Sequence, residues 1–328
     1  MKNKKIIIAG GTGFIGQEIC NYFGEENEIV ILTRQVTDEK TNAFGEFSIK
    51  ENVLKNIRIV KWDGITVADW ASEINNADVV INLAGKTVNC RYTEKNKQEI
   101  FDSRTNATKA IGMTIQNAKN PPKLWINAAS ATIYRHAMDR PQDEFTGEYE
   151  NDFSVQVCKR WEKTFFEHYT PNTRKIALRM AITLGAGGVM NPYFNLLKFA
   201  LGGKQGSGKQ MYSWVYIEDT CRMIDWIFEH QEIEDGFYNC CSPNPVTNKE
   251  FMKMLRKAAG HVFGLPAFTW MLKIGAKMIG TETELILKSR WVLPTKILQT
   301  DFQFKYPLLP EVFKEIINKT PRKKYHLF

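Results

Sequence analysis

Near its start the chain reads Ile6-Ile7-Ile8-Ala9-Gly10-Gly11-Thr12-Gly13-Phe14-Ile15-Gly16. An apolar run of strand-forming residues enters a glycine turn, and a helical pattern from Gln17 to Phe23 leaves it. Strand, tight turn and helix in that order predict a diphosphate site, because the helix's unpaired N–H groups and the positive end of its dipole face the turn. The glycines act separately. Gly10 lets the chain reverse, Gly13 lets backbone approach a phosphate, and Gly16 lets helix lie close to strand. The spacing is G-x-x-G-x-x-G rather than G-x-G-x-x-G. A glycine-rich strand–helix turn without a ligand would carry the same letters; the position after a strand and before a helix gives the motif its meaning.

The rest of the chain bounds what surrounds that turn. Its 328 residues suffice for a large domain plus a smaller one, and 43% hydrophobic with 24% charged residues fits a globular protein. No run of about eighteen apolar residues exists, so no membrane span is expected. After the basic Met1–Lys5 come a strand and a glycine turn rather than an apolar leader with a small-residue cleavage site, so the expectation is cytoplasmic. Cys20, Cys90, Cys158, Cys221, Cys240 and Cys241 match no zinc spacing, and with five histidines no metal site is expected. The net charge of +8 gathers partly at the two ends, without a basic stripe interleaved with aromatics, which argues against nucleic acid.

Taken in order, Glu28–Arg34 is a second buried strand ending in a cation. An acidic residue there would hydrogen-bond a ribose 2′-OH; arginine suits a 2′-phosphate, so Arg34 argues for NADP over NAD. Residues 35–56 read as a long loop, and Ile57–Trp62 as a third strand. Asp63-Gly64 closes it, with a carboxylate that would either face an adenine or simply form the turn. A short helix over 70–75 precedes a fourth strand over 77–85, apolar throughout as a central parallel strand should be. Its exit, Leu83-Ala84-Gly85, is expected beside the first glycine turn. Residues 93–118 form a long helix carrying Glu99, Ser103 and Arg104, and Leu124–Ser130 a fifth strand. A helix over 153–169, a sixth strand over 174–184, a helix over 219–230 and a last strand over 236–240 follow. This alternation predicts an α/β fold, a doubly wound Rossmann sheet over residues 1–240, with a smaller, mostly helical lid domain over 241–328. Residues 185–215 contribute to the cleft. Gly203–Lys209 imitates the start of a phosphate-binding P-loop, but Gln210 stands where Ser or Thr is needed and a helix precedes it, so an ATPase is rejected in favour of a flexible loop over the cleft.

Gly10–Gly16, Asn82–Gly85, Ser130–Tyr134, Trp161-Glu162 and Leu178–Gly185 together resemble the extended and atypical short-chain dehydrogenases/reductases. More narrowly, Ser103-Arg104, Thr108, Cys158–Glu162, Gly202–Asp219, Arg290–Lys296 and Phe302–Pro307 are similar to epimerase-family proteins (NAD-dependent epimerase/dehydratase-like) with a small C-terminal domain of the DUF1731 type. The resemblance implies NADP(H) in the Rossmann domain and a small-molecule substrate under the C-terminal domain. By position, Gly10, Thr12, Gly13, Phe14, Ile15 and Gly16 would cradle the diphosphate, and Thr33 and Arg34 would hold the 2′-phosphate. Leu83, Ala84 and Gly85 would line the adenosine and ribose side, with Glu99 and Arg104 facing the cofactor; Arg104 in a structural ion pair is the alternative. A homodimer through the helices at 93–118 and 153–169 is implied as well.

In the family resembled, a serine polarises the substrate oxygen while a Tyr-x-x-x-Lys pair on the next helix moves the proton. Ser130 stands in the serine's place. Anchored on Trp161-Glu162, the pair becomes Ser154 and Cys158; slipped by one, Val155 and Lys159. No tyrosine stands in either register. Tyr134 would substitute or merely pack, and Cys158 would be a cleft thiol or a buried one. The expectation is an NADP(H)-dependent oxidoreductase or epimerase acting on a small polar or nucleotide-sugar-like substrate; a non-catalytic NADP(H)-binding sensor is the alternative.

Overall fold

Ile6 and Ile8 pack into one hydrophobic core and Ile7 and Ala9 into another, because successive side chains of a strand point to opposite faces. That alternation recurs along the chain and decides the architecture. The computed structural model describes residues 1–34, 49–280 and 282–327. The first half comprises β1 (Lys5–Ala9), α1 (Phe14–Phe23), β2 (Glu28–Thr33), the helical turn α2 (Glu51–Leu54), β3 (Ile57–Lys61), a 3-10 helix (Asp69–Glu73), β4 (Val79–Asn82), α3 (Glu94–Asn117), β5 (Leu124–Ser130) and α4 (Phe153–Phe166). Then come β6 (Arg174–Met180), β7 (Ile182–Leu184), α5 (Met190–Lys198), β8 (Met211–Tyr212), β9 (Trp214–Tyr216), α6 (Ile217–Glu229) and β10 (Gly236–Cys240). The C-terminal part holds β11 (Val246–Thr247), α7 (Asn248–Ala258), α8 (Thr269–Ile279), α9 (Glu284–Leu287), α10 (Thr295–Leu298) and α11 (Leu309–Asn318).

Seven strands form one parallel sheet in the order β3-β2-β1-β4-β5-β6-β10. One face buries Ile29, Ile31, Ile81 and Ile126 against α1 and α6; the other buries Val30, Leu32, Val80 and Trp125 against α3, α4 and the 3-10 helix. This is the doubly wound Rossmann arrangement. Its order reverses between β1 and β4, where ligands bind outside the strands' carboxyl ends. No helix among the described residues is long and apolar enough to cross a membrane.

The structure departs from the pattern-based expectation in several places. The stretch expected as one sixth strand breaks at Ala181. Its N–H bonds Cys240 O at 3.1 Å, the next N–H bonds Ser213 O at 3.2 Å, and β7 then pairs with β9 outside the main sheet. Residues 51–54, expected as loop, form a helical turn; 35–48 lie outside the described residues. The P-loop imitation is not a free loop. Gly203 N bonds Leu265 O (3.0 Å), Gly206 N bonds Ala267 O (2.8 Å), and Gln205 N bonds Asn248 Oδ1 (2.7 Å). A third core joins Leu184, Phe194, Trp214 and Tyr216 to Phe251, Leu255, Phe313 and Ile316. The C-terminal segment is thus built onto residues 184–217, and Ile297 and Phe302 return to the main sheet's core.

Asp152 caps α4 by accepting from Val155 N at 3.0 Å, which fixes where the helix begins. Arg179 of β6 then ties α4 to the sheet, donating to both oxygens of Glu162 at 2.7 Å while stacking on Phe237, 3.6 Å from the ring centroid. The two side chains are 2% and 9% exposed. Removing one partner strands the other charge inside the protein, so Arg179→Met should lower unfolding free energy by about 3–5 kcal/mol in urea titration. The double variant with Glu162→Leu should recover part of that loss.

Candidate cofactor and substrate cleft

The cleft begins at the turn after β1. Gly10 has φ +79°, and a Cβ there would stand 3.1 Å from the backbone of Leu83 and Ala84. Only glycine allows both the left-handed conformation and that approach. A Cβ on Gly16 would fall 2.5 Å from the Gly11 Cα, so α1 lies directly on the turn. Around Gly13 only Gly10 O comes near, at 3.5 Å, and Gly13 is exposed. Among the described residues no side chain caps α1 from Gly13, and its first turn carries no acidic residue. The positive end of the helix dipole therefore faces the glycine turn, which fits a diphosphate. The Phe14 ring fills the space over Gly185 and Gly188, where a Cβ would come within 2.4 and 2.7 Å of it; this joins the turn to the loop after β7. Thr12 and Ile15 are half-buried beside it. At the neighbouring strand end, Thr33 O accepts from Trp62 N at 2.9 Å, and Arg34 is exposed.

Two asparagines hold the exits of β4 and β5. Asn82 and Asn127 are paired in register and fully buried. Asn82 Nδ2 donates to Asn127 Oδ1 (2.7 Å) and Thr108 Oγ1 (3.2 Å), while Asn82 Oδ1 accepts from Ala84 N (3.1 Å). Trp161 Nε1 donates to the same Thr108 hydroxyl at 3.1 Å. Sequence reasoning did not single out this network. Its signal was there: Val80-Ile81-Asn82 and Trp125-Ile126-Asn127 put an amide at the same place in two otherwise apolar strands.

Several residues expected at the cofactor have other partners. Asp63 accepts from Ile65 N (2.8 Å), Thr66 N (2.8 Å) and the Thr66 hydroxyl (2.6 Å), bonds that hold its carboxyl below the usual range. Its carboxylate is committed to the turn rather than turned to an adenine. Glu99 ion-pairs with Lys86, whose hydrogen bond lowers its pKa; Lys86 Nζ also reaches Asn96 Oδ1 at 2.8 Å. Arg104 packs against the exposed Gly85, donates to Lys86 O and Ile100 O (3.0 Å each) and lies 5.1 Å over the Trp161 ring. It has no acidic partner among the described residues, so the ion-pair alternative does not describe it.

Ser130 lies half-buried at the end of β5, where Oγ accepts from Thr132 N at 3.2 Å. That bond uses a lone pair and leaves the hydroxyl proton for another acceptor. Tyr134 is 1% exposed; its hydroxyl donates to Asn239 Oδ1 (3.1 Å) and accepts from Arg179 (2.9 Å), and burial pushes its pKa up. It packs and does not substitute for the missing relay. Cys158 packs against Ala131 and Tyr134, and burial pushes its thiol up to about 12, so it is not an open cleft thiol. Lys159 turns the other way, into a groove with Glu162 and Phe237, its Nζ 5.5 Å over the Tyr149 ring. Of the two registers, Ser154 and Cys158 face the Ser130 side.

A tyrosine comes instead from the loop before α3. Tyr92 packs edge-on against Phe153, its backbone N–H bonds Glu282 Oε1 at 3.0 Å, and its buried hydroxyl lies beside Ser154 without a well-formed hydrogen bond among the described residues. Burial pushes it up to about 12. Sequence spacing could not reveal it, because it reaches the α4 position from another element.

The model of the NAD dependent epimerase/dehydratase family matches residues 6–241. The chain belongs to that family. A second match, to the domain of unknown function DUF1731, covers residues 267–316. Epimerase family protein YfhF of Bacillus subtilis is 31% identical, over 95% of this chain and 97% of its own. Epimerase family protein SSP1921 of Staphylococcus saprophyticus is 31% identical over 96% and 100%. The human epimerase family protein SDR39U1, crystallised with NADPH, has the same fold, with TM-score 0.80 at 24% identity over 96% of this chain and 99% of that one. So does UDP-glucuronic acid 4-epimerase of Bacillus cereus in complex with UDP-glucuronic acid and NAD, with TM-score 0.73 at 17% identity over 96% and 99%. The family assignment agrees with the seven-stranded Rossmann sheet and the helical C-terminal part.

The cysteine environments give a direct check. Burial pushes the Cys158 thiol up to about 12, so it stays protonated and unreactive at neutral pH. The other buried thiols are shielded similarly, and only Cys90 is half-exposed. Titration of the native protein with a chromogenic disulfide should therefore modify one thiol rapidly. Peptide mapping should find it at Cys90; rapid labelling of Cys158 would contradict the buried assignment.

Proposed function

We propose that this protein binds NADP(H) and works as an oxidoreductase or epimerase on a small polar or nucleotide-sugar-like substrate. The observation that carries this reading is the glycine turn Gly10–Gly16 leading into α1, with Gly10 at φ +79°, close backbone approaches at Gly10 and Gly16, and no acidic residue in the helix's first turn. Arg34 lies at the end of the neighbouring strand, where a guanidinium suits a 2′-phosphate. The human relative crystallised with NADPH supports the phosphorylated cofactor.

When bound, the nicotinamide supplies or accepts hydride. Around it the chain would act through hydrogen bonds. Ser130 would donate its free hydroxyl proton to the substrate oxygen, stabilising charge that develops there. Tyr92 lies beside Ser154, the residue that one register of α4 sets in the family tyrosine's place, and would deliver the proton. Its raised pKa suits a proton donor better than a base. The buried Arg104 would add positive charge where the usual lysine is replaced by a neutral thiol.

Fluorescence titration tests the cofactor half. NADPH should bind at least about tenfold more tightly than NADH, and Arg34→Gln should remove that preference. Equal affinity in the wild type would sink the role of Arg34. Against a panel of carbonyl compounds, Ser130→Ala and Tyr92→Phe should each cut kcat by about a hundredfold or more, with NADPH affinity nearly unchanged. Tight NADPH binding with no turnover on any carbonyl compound would favour a cofactor-binding regulatory protein.

A further inference from the structure

Arg290 follows α9 in the C-terminal part, and its backbone is fixed from both sides. Its N–H bonds Met211 O at 2.8 Å, and its carbonyl accepts from Ser213 N at 2.9 Å. The preceding Ser289 is fastened too: its N–H bonds His136 Nδ1 at 3.0 Å and its hydroxyl donates to Ala137 O at 2.5 Å. A long side chain anchored so firmly has a defined end point. The Arg290 side chain is 13% exposed, and its buried NH1 nitrogen has no hydrogen-bond acceptor among the described residues. The nearest carboxylate oxygen, on Glu284, stands 3.7 Å from the other terminal nitrogen, too far for a hydrogen bond. The neighbouring Lys288, by contrast, is neutralised by Asp152 and by Glu150 at 3.3 Å.

A buried guanidinium with an unused donor is costly unless something completes it. Its surroundings say what that would be. Arg290 and Arg104 both act electrostatically on the Cys158 thiol, and burial pushes both guanidinium groups below their usual pKa. Cys158 shares one buried cluster with Ala131, which follows Ser130 in the chain, and with Val292, two residues beyond Arg290. The Cys158 thiol thus senses Arg104 and Arg290 besides the mutually paired Arg179 and Glu162, and Arg104 has no acidic partner among the described residues.

We propose that Arg290, with Arg104 across Cys158, forms an oxyanion subsite, and that the substrate carries a carboxylate or phosphate close to its reacting carbon. This rests on the NADP(H)-dependent reading above and narrows its substrate class. Guanidinium is planar, permanently charged and matched to two oxygens of such a group. A carboxylate or phosphate would give Arg290 NH1 its missing acceptor and offset the charge of Arg104, which has no acidic partner among the described residues.

The test is calorimetric titration of the NADPH-loaded full chain with sodium oxamate, with inorganic phosphate and with the neutral oxamide. Oxamate or phosphate should bind and oxamide should not; the stronger of the two anions tells a carboxylate substrate from a phosphate ester. Arg290→Gln should weaken the anion at least about tenfold, and Arg290→Lys should weaken it less, because ammonium keeps the charge but loses the fork. Thermal melts establish that the variants are folded, and Arg290→Lys carries the test if Arg290→Gln is not. Undiminished anion binding by the folded variant, or no binding of either anion by wild type at tens of millimolar, would overturn the subsite. A parallel NADPH titration separates the two failures: wild type that does not bind NADPH refutes the cofactor reading instead.

Discussion

The ligand side of the sheet depends on the bond between Asn82 and Asn127. β4 and β5 are buried on both faces, and an apolar ribbon of that kind sets its own register weakly. Two fully buried amides in the middle of it change that. Each unsatisfied polar group would cost about 1–3 kcal/mol, so only the register that sets them side by side is well tolerated. The same network reaches Thr108 on α3 and Trp161 on α4. One set of hydrogen bonds therefore positions the strand exits beside Gly10 and the two helices that carry Arg104 and Cys158.

Around that frame the electrostatics differ from a helix-borne Tyr-x-x-x-Lys relay. α4 presents Ser154 and Cys158, both neutral, toward Ser130. Positive charge comes from α3 and from the C-terminal segment, as Arg104 and Arg290, and the phenol from the loop before α3. A guanidinium stays ionised at any physiological pH, whereas a buried lysine loses its proton readily. In the proposed site, charge held this way would favour an anionic substrate over tuning of a tyrosine.

Other residues that looked functional are structural for definite reasons. Arg179 and Glu162, both within stretches that suggested the family, satisfy each other inside the protein and weld α4 to β6. Tyr134 completes that group. Asp63 and Glu99 were reasonable candidates by position, but local N–H groups and Lys86 claim their carboxylates.

The sequence by itself determined the glycine turn, the order of strands and helices and the presence of two sheet faces. All three follow from local periodicity and from the backbone freedom of Gly10. It also pointed to Ser130 and Arg34, because strand ends can be read from where apolar runs stop. Only the tertiary structure decided which residues of α4 face the cleft, since one residue along a helix is a turn of about 100° and separates Cys158 from Lys159. Only it set Tyr92 against Phe153 of α4 and Arg104 over Trp161, and joined 184–217 to the C-terminal helices in a common core. Those arrangements depend on contacts between segments far apart in the chain, which no local pattern encodes.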